Sequence, residues 1–284
     1  MSYLVPFDGS FRVQDAPTKP NENTLSEKQL KKQLKLINKE LYDLQRTLYA
    51  YDKYSLLLVF QAMDAAGKDS TIRTVMRGVN PAGCQVFSFK KPSSKELDHD
   101  FLWRSAVSLP ERGRIGVFNR SYYEEVLVVR VHPEYLQGQK LPHYNLDQIW
   151  QQRFESIRDH EKHLARNGTV ILKFWLNVSK EEQKQRFLAR LTEPEKHWKF
   201  SAHDIEERKY WDQYMQAYED MLNATSREHA KWYAIPADNK PFMRVKVAET
   251  IVNALQSLDI RYPKVGNEKK AAFESIKQNL ELES

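Results

Sequence analysis

Hydrophobic positions in the first sixty residues change from a helical period to a strand-like one. Between residues 26 and 51, leucine and isoleucine recur every three or four positions among charged and amide residues, which is the spacing of one helix face. The next apolar segment, residues 56–60, is short and continuous, as in a strand covered on both faces. We therefore predict a loose N-terminal arm and an amphipathic helix over about residues 1–52, followed by a buried strand.

The same two patterns alternate along the rest of the chain. Further strands are predicted at residues 85–89, 115–118, 169–176 and 232–235. Further helices are predicted at residues 70–79, 94–109, 145–165, 179–191, 203–225 and 242–258. Strands separated by helices form βαβ units and hence a parallel sheet covered on both faces. We therefore predict a single α/β domain over residues 1–284 that ends in a polar, charged tail.

Candidate ligand-binding residues follow four of the predicted strands. They are Asp64, Gly67, Lys68, Lys90, Lys91, Asn119, Arg120, Glu124 and Asn177. Ligands of parallel sheets bind beyond the carboxyl ends of the strands, so we expect these residues to share one site. Their recurrence at successive strand ends favours a phosphate-binding site over a set of ordinary turns.

The turn after the first predicted strand, residues 61–69, carries the most specific chemistry. Backbone N–H groups at a helix start, together with Lys68, suit a polyanion. The match to the P-loop pattern G-x-x-x-x-G-K-[ST] is imperfect, because Ala62 replaces the first glycine and Asp69 replaces the hydroxyl residue that reaches Mg²⁺. Asp64 offers a hard oxygen ligand instead. From this fragment alone, an ordinary turn with a solvated Lys68 is an equally good interpretation.

Composition narrows the class of partner. The 284 residues carry a net charge of +6 and give a pI near 9.1, which favours nucleic acid, a membrane surface, nucleotides or inorganic polyanions. Cys84 is the single cysteine, which excludes an intramolecular disulfide and a Cys-rich zinc site. Neither a secretory signal nor an apolar run of membrane-spanning length is found. We therefore expect a cytoplasmic protein that does not bind membranes.

A second basic cluster lies in residues 186–199. Arg186 and Arg190 are four positions apart on one predicted helix face, where like charges destabilise a helix unless an anion lies between them. A solvated basic helix end, favoured by the macrodipole, is the alternative. Pro194 and the following Lys-His-Trp-Lys run favour a lid over about residues 186–203 that shields phosphoryl transfer from water.

Five segments, in this order, resemble the type 2 polyphosphate kinases, which are P-loop proteins with the fold of thymidylate kinases. The segments are QAMDAAGKD at 61–69, GVNPAG at 78–83, FLWR at 101–104, FNRSYYE at 118–124 and WKF at 198–200. The resemblance covers about residues 56–235 and implies a three-layer α/β fold with a helical lid. Asn119, followed by Arg120 and Glu124, resembles the subgroup called class III, although many relatives have aspartate at the position of Asn119.

The resemblance also implies roles for individual residues. Lys68 and Arg120 hold phosphate, Asp64 organises Mg²⁺, and Arg186 and Arg190 close over the reacting group from the lid. The implied catalytic set is Asp64, Lys68, Arg120, Arg186 and Arg190, with Asp64 as the metal ligand. The expected substrate-binding set is Ala65, Ala66, Gly67, Asp69, Ser70, Arg73, Lys90, Lys91, Asn119, Tyr123, Glu124 and Lys199.

By the same resemblance, the expected reaction transfers the terminal phosphoryl group of inorganic polyphosphate to AMP and ADP, giving ADP and ATP. Other nucleoside mono- and diphosphates are further acceptors, Mg²⁺ is the cofactor with Mn²⁺ as an alternative, and the protein forms a homo-oligomer, a dimer or tetramer. An ATP-dependent nucleotide or nucleoside kinase on the same fold is the alternative. A nucleic-acid-binding module is disfavoured, because basic and aromatic positions are not interleaved and the acids near Lys68 repel a phosphate backbone.

Overall fold

The computed structural model describes residues 3–283 and contains five strands. The strands are β1 (Ser55–Gln61), β2 (Cys84–Ser88), β3 (Ile115–Asn119), β4 (Thr169–Asn177) and β5 (Ala230–Pro236). The helices are α1 (Glu27–Tyr51), α2 (Lys68–Val75), α3 (Ser94–Leu97), α4 (Trp103–Ala106), α5 (Val128–Val131), α6 (Leu146–Arg166), α7 (Lys180–Thr192), α8 (Ala202–Glu207), α9 (Trp211–Thr225), α10 (Lys240–Gln256) and α11 (Asn267–Leu282). Short 3-10 turns, among them Tyr122–Val126 and Pro194–Lys199, join several of these elements.

The five strands form one parallel sheet in the order β2-β3-β1-β4-β5. All seven residues of β1 are buried, because β1 lies at the centre of the sheet and helices cover it. Helix α1 packs against α10, and α10 contacts β4 and β5. Helix α6 packs against β4 and α9. The predicted α/β class with a parallel sheet flanked by helices is therefore confirmed.

The N-terminal segment is not loose, so that prediction was wrong. Leu4 pairs with Tyr233 in an antiparallel bridge, and Val5 is fully buried. The amide of Val5 donates to the carbonyl of Trp232 at 2.9 Å, and the amide of Ala234 donates to the carbonyl of Tyr3 at 2.8 Å. The segment therefore pairs with the outer edge of β5, which would otherwise expose unpaired backbone groups.

Two predicted helices are shorter than the pattern indicated. The segment 94–109 forms only the single turns α3 and α4, because the Asp100 carboxylate accepts from the amide of Leu102 and starts a new turn. The segment 203–225 divides into α8 and α9 around a 3-10 turn at Arg208–Tyr210. The charged tail contains one further helix, α11, whose residues are all exposed.

Candidate active site

The turn between β1 and α2 has two residues in the left-handed region of the backbone. Ala65 has a φ of 60° and Gly67 a φ of 99°. A Cβ on Gly67 would have ordinary contacts of 3.5 Å or more, so the backbone angle and not the available space favours glycine here. The carbonyl of Gly67 accepts from the hydroxyls of Ser70 and Thr71 at 2.9 and 3.0 Å. Lys68 and the first amides of α2 therefore lie at the carboxyl end of the central strand.

Arg120, directly after β3, links this turn to a second acidic residue. Its Nη2 donates to Asp64 Oδ1 at 3.1 Å, and its Nη1 lies 3.9 Å from Glu124 Oε2. Burial lowers the pKa of Lys68, and repulsion from Arg120 lowers it further, while Asp69, Asp64 and Glu124 act in the opposite direction. Burial also raises the pKa of Glu124. The structure thus brings together four predicted site residues, two cationic and two acidic, at the ends of β1 and β3.

Asn119 connects three of the elements around this cluster. Its Nδ2 donates to Asp69 Oδ1 at 2.9 Å and to Ser88 Oγ at 3.2 Å. Its Oδ1 is buried and has no hydrogen-bond partner among the described residues. An amide suits this position beside Asp69, because an aspartate there would place two carboxylates in contact.

Arg186 does not face the cleft, which corrects its predicted place in a lid. Its side chain is 8% exposed. Its guanidinium donates to the carbonyls of Ala65 and Ala66 at 3.1 and 2.6 Å, to those of Ala237 and Asp238 at 2.7 and 3.1 Å, and to Glu182 at 2.8 Å. Arg186 therefore holds the turn after β1 against the turn after β5, and its donors are occupied by protein atoms.

Arg190 lies at the base of the predicted lid segment. Its Nη1 donates to the carbonyl of Lys199 at 3.1 Å and to Asp204 Oδ2 at 2.9 Å. Burial raises the pKa of Asp204, and the charge of Asp64 raises it further, which places α8 within electrostatic range of the turn after β1. The Lys199 ammonium lies 4.9 Å from the centre of the Trp198 ring. The segment after α7 is therefore attached to α8 beside the charged cluster.

Tyr123 is fully buried, which removes it from the predicted substrate-binding set. Its hydroxyl donates to Glu161 inside the core. Asn177 is also withdrawn from the cleft, since its amide donates to the carbonyls of Ala16 and Pro17. The lysines after β2, Lys90 and Lys91, are exposed, as is Arg73 on α2.

Sequence reasoning missed a cavity on the β2 side of the charged cluster. Buried Arg104 and buried Arg153 line it together with Glu125, Phe101 and His99. Arg104 donates to the carbonyl of Lys90 at 2.7 Å, and Arg153 pairs with Glu125 at 3.1 Å. Arg104 belongs to the FLWR segment, and this segment was the sequence feature that could have indicated the cavity.

A basic strip formed by Arg73, Arg77, Lys240 and Arg244 runs beside the turn after β1, on α2, the residues that follow it, and α10. Arg244 Nη2 donates to Ser70 Oγ at 3.3 Å, and Arg244 Nε is buried without a partner in the described part of the chain. Burial lowers the pKa of Arg244, and Arg73 and Arg77 lower it further by repulsion. The pKa of Lys240 is lowered mainly by burial and then by Arg186. These cations therefore face one another more than they face carboxylates.

The described residues contain no preformed metal centre and no membrane-crossing helix. Within residues 3–283, no three His, Cys, Asp or Glu side chains lie together in a way that would hold a metal ion. A metal here would need oxygen ligands from bound phosphates, as is usual for Mg²⁺ in phosphoryl-transfer sites. In the same part of the chain, no helix is both long and apolar enough to cross a membrane.

The central strand of the parallel sheet leads into a glycine-lysine turn, and an arginine and two acids face this turn. Such an arrangement is typical of phosphate-binding α/β proteins. The family model described as Polyphosphate kinase 2 (PPK2) matches residues 24–263, so the chain belongs to this family. The predicted family is therefore confirmed.

Similar proteins extend over most of the chain. The chain is 53% identical over 266 residues to an ADP-polyphosphate phosphotransferase of Rhodopseudomonas palustris, covering 93% of this chain and 92% of the relative. It is 46% identical over 232 residues to an AMP/ADP-polyphosphate phosphotransferase of Meiothermus ruber, covering 81% and 82%. A crystal structure of polyphosphate kinase 2 from Arthrobacter aurescens TC1 matches with a TM-score of 0.85 at 36% identity, covering 94% of this chain and 93% of that one.

Proposed function

We propose that this protein transfers the terminal phosphoryl group of inorganic polyphosphate to ADP and AMP, giving ATP and ADP. The observation that carries the proposal is the cluster of Lys68, Arg120, Asp64 and Glu124 at the adjacent ends of β1 and β3. Family membership and the names of the two relatives support polyphosphate as the donor. The relatives differ in whether their names include AMP, so the two acceptors must be tested separately.

The charged cluster suits phosphoryl transfer without a covalent intermediate. An oxygen of the acceptor phosphate forms the new P–O bond, and the terminal anhydride bond of polyphosphate breaks, so the shortened polyphosphate leaves as an anion. Such a loose transition state depends on positioning and on charge neutralisation. Lys68 and Arg120 would hold the transferred group, and the amides of residues 65–70 would surround it. An ionised phosphate acceptor needs no strong general base.

We assign the two substrates to opposite sides of the cluster. The basic strip suits a long polyanion, because its cations repel one another when no anion is bound. We assign the acceptor nucleotide to the β2 side of the cluster, where Phe101 and His99 lie next to buried Arg104; the cavity there, about 80 Å³, is smaller than a nucleotide and would have to widen when the acceptor binds. Exposed Lys90 and Lys91 follow β2 on the cavity side, where Arg104 donates to the carbonyl of Lys90.

Asp64 is the proposed ligand for Mg²⁺, with Mn²⁺ as an alternative. Its carboxylate fits this role, because it is 32% exposed and faces the same cleft as Lys68 and Glu124. When bound, the metal would supply positive charge that neutralises phosphate oxygens. Asp69 accepts from Asn119, and this contact keeps the second acid of the turn oriented at the start of α2.

We also propose a cytoplasmic dimer or tetramer. Large apolar side chains are exposed on α1 and α11, among them Leu36 at 64% and Leu280 at 61%, which supports self-association. Light scattering after size-exclusion chromatography measures the assembly mass. A monomer at micromolar concentration would contradict the oligomer and leave the proposed reaction unaffected.

Product analysis by chromatography tests the proposed reaction. The purified protein is incubated with Mg²⁺ and polyphosphate together with ADP and, separately, with AMP, while parallel reactions use ATP as the donor for AMP. In the reaction with ADP we expect ATP. In the reaction with AMP we expect ADP first and then ATP. Formation of products only when ATP is the donor would favour the ATP-dependent kinase, and ATP formation from ADP alone would restrict the acceptor.

Variants of the charged cluster test which of its residues the reaction needs. Lys68→Ala and Arg120→Ala should lose turnover by at least about a hundredfold and keep their far-ultraviolet circular dichroism. Lys28→Ala on the exposed surface of α1 is the matched control and should retain wild-type turnover. Full activity of either cluster variant would remove that residue from the proposed site.

A further inference from the structure

A buried ionic network lies behind the charged cluster, on the core side of the turn that follows β3. Lys173 in β4 is fully buried, and Glu161 on α6 is 1% exposed. The Lys173 ammonium donates to Glu161 Oε2 at 2.7 Å, to the hydroxyl of Tyr123 at 2.8 Å and to the carbonyl of Thr225 at 2.9 Å. An ammonium has three donors, and each of them therefore has an acceptor.

The other carboxylate oxygen of Glu161, Oε1, accepts hydrogen bonds from two consecutive tyrosines. Tyr122 and Tyr123 both donate their hydroxyls to Glu161 Oε1, at 2.9 and 2.8 Å. The ring of Tyr123 packs at 67° against that of Trp232, with ring centres 4.8 Å apart. Since both tyrosines are fully buried and donate to one atom, the turn that contains them is fixed from the inside of the protein.

This turn continues directly from Arg120, whose backbone is strained. Arg120 has a φ of 64°, a left-handed conformation that costs an arginine conformational energy. Its amide donates to the carbonyl of Phe60, and the amide of Tyr123 donates to Ser121 Oγ at 3.1 Å. The amide of Glu124 donates to the carbonyl of Ser121 at 3.1 Å. The backbone that carries Arg120 and Glu124 is therefore held between β1 and the two tyrosines.

Stability alone does not account for such a pair. Removing two charges from water is costly, and replacing a buried ion pair by apolar side chains of similar volume is often neutral or stabilising. Burial lowers the pKa of Lys173 to about 8, and the negative charge of Glu161 opposes this shift. A network in which every donor has one acceptor permits a single arrangement of its members, so it can hold side chains and the backbone attached to them in fixed positions.

We infer that Glu161 and Lys173 are positioning residues for phosphoryl transfer: through Tyr122 and Tyr123 they fix the turn that presents Arg120 and Glu124 to the substrates. The inference rests on the proposed function, because it takes Arg120 to hold the transferred group. All four residues are fully buried in the core, so they act on the reaction only through the turn.

The test removes the two hydroxyl donors and keeps both aromatic rings. In the Tyr122→Phe/Tyr123→Phe double variant, a misplaced Arg120 should lower kcat by about tenfold. The KM for polyphosphate should stay within about twofold, because the basic strip still binds the donor chain. An unchanged kcat in a folded double variant would overturn the inference, as would a rise in KM with kcat unchanged.

Two further variants separate positioning from loss of stability. Ile251→Val removes one methyl group from the fully buried core side of α10, away from the turn, and should lower stability modestly with kcat unchanged. If the double variant does not fold, the single Tyr122→Phe variant carries the same test, with a smaller fall in kcat expected at constant KM. A parallel fall of kcat in Ile251→Val would mean that stability, not positioning, is being measured, and would overturn the inference.

A double-mutant cycle with Arg120→Lys identifies the residue through which the network acts. If the tyrosine hydroxyls act through Arg120, their removal should change kcat by less than about twofold in the Arg120→Lys background. The same tenfold loss in both backgrounds would overturn the inference. If Arg120→Lys is inactive, the kcat and KM values of the tyrosine variants decide. Wild-type protein without polyphosphate-dependent ATP formation would instead contradict the proposed function, and the inference with it.

Discussion

At the scale of single residues, the structure separates side chains that the sequence makes look alike. Arg120 follows a predicted strand, Arg186 lies in a predicted helix, and both suit phosphate, yet Arg120 reaches carboxylates in the cleft while Arg186 donates to four carbonyl groups. Tyr123 likewise follows Arg120 by three positions and points into the core. The sequence could place these residues near strand ends. It could not predict which way each side chain turns, because that depends on contacts with distant segments.

The carbonyl contacts of Arg186 predict a change in stability. Arg186→Met leaves several buried carbonyl oxygens without donors, so we expect the free energy of unfolding to fall by about 3 kcal/mol. Urea unfolding measures this value. Exposed Arg73→Met is the control and should change it by less than about 0.5 kcal/mol. An Arg186→Met protein of wild-type stability and low turnover would restore the role in a lid that the sequence suggested.

Cys84 gives a prediction about pH. Burial raises the pKa of its thiol to about 11, so the reactive thiolate is scarce at neutral pH. We expect alkylation of the native protein by iodoacetamide to be slow near pH 7 and to accelerate about tenfold for each pH unit up to about pH 10. Mass spectrometry of the alkylated protein follows the reaction, and a Cys84→Ser variant gives the background. A rate that levels off below about pH 9 would contradict the raised pKa.

At the scale of elements, periodicity predicted the long helices and buried strands and failed for short ones. Helix α1 begins within one residue of its predicted start, because Ser26 forms a capping box with Gln29 and leucine recurs along one face. The segment 94–109 has a similar apolar spacing, but local contacts of Asp100 interrupt it. An apolar pattern does not indicate loops that depend on single side-chain contacts. The positions of α8 and of the turns near α7 were therefore also predicted only approximately.

The segment after α7 supplies a prediction about movement. Trp198 is 79% exposed in a 3-10 turn beside Lys199. If this segment closes over bound polyphosphate, the indole becomes covered and its fluorescence emission should shift to shorter wavelength when polyphosphate is added. Trp198→Phe should remove that spectral change. An identical shift in the variant would assign the signal to another tryptophan and contradict closure at this position.

At the scale of the whole molecule, the net charge of +6 is distributed unevenly. The cations of the basic strip face one another beside α2 and α10, while Asp64 and Glu124 lie together at the adjacent ends of β1 and β3. Composition predicted a polyanionic partner, and the family and its relatives are consistent with that interpretation. The location of the basic strip could not be predicted, because it needs the packing of α10 beside α2.

The basic strip predicts a strong dependence on salt. Added salt screens the cations of the strip and reduces the gain from counterion release on binding. The KM for polyphosphate should therefore rise by at least about tenfold between about 50 and about 200 mM KCl. The KM for ADP should change less, because ADP carries fewer charges. Arg244→Gln should reduce the slope for polyphosphate, and initial rates at varied salt measure both effects. Equal slopes in wild type and variant would exclude Arg244 from the donor path.

The bridge between Leu4 and Tyr233 sets an order of events during synthesis on the ribosome. The two residues are 229 positions apart (233 − 4), so Leu4 emerges long before its partner strand exists. At usual rates of translation, the interval is roughly 10 to 50 s. The three strand pairings among β1, β2, β3 and β4 can therefore form before β5 is made, and the pairing of the N-terminal segment with β5 becomes a late step that completes the outer edge.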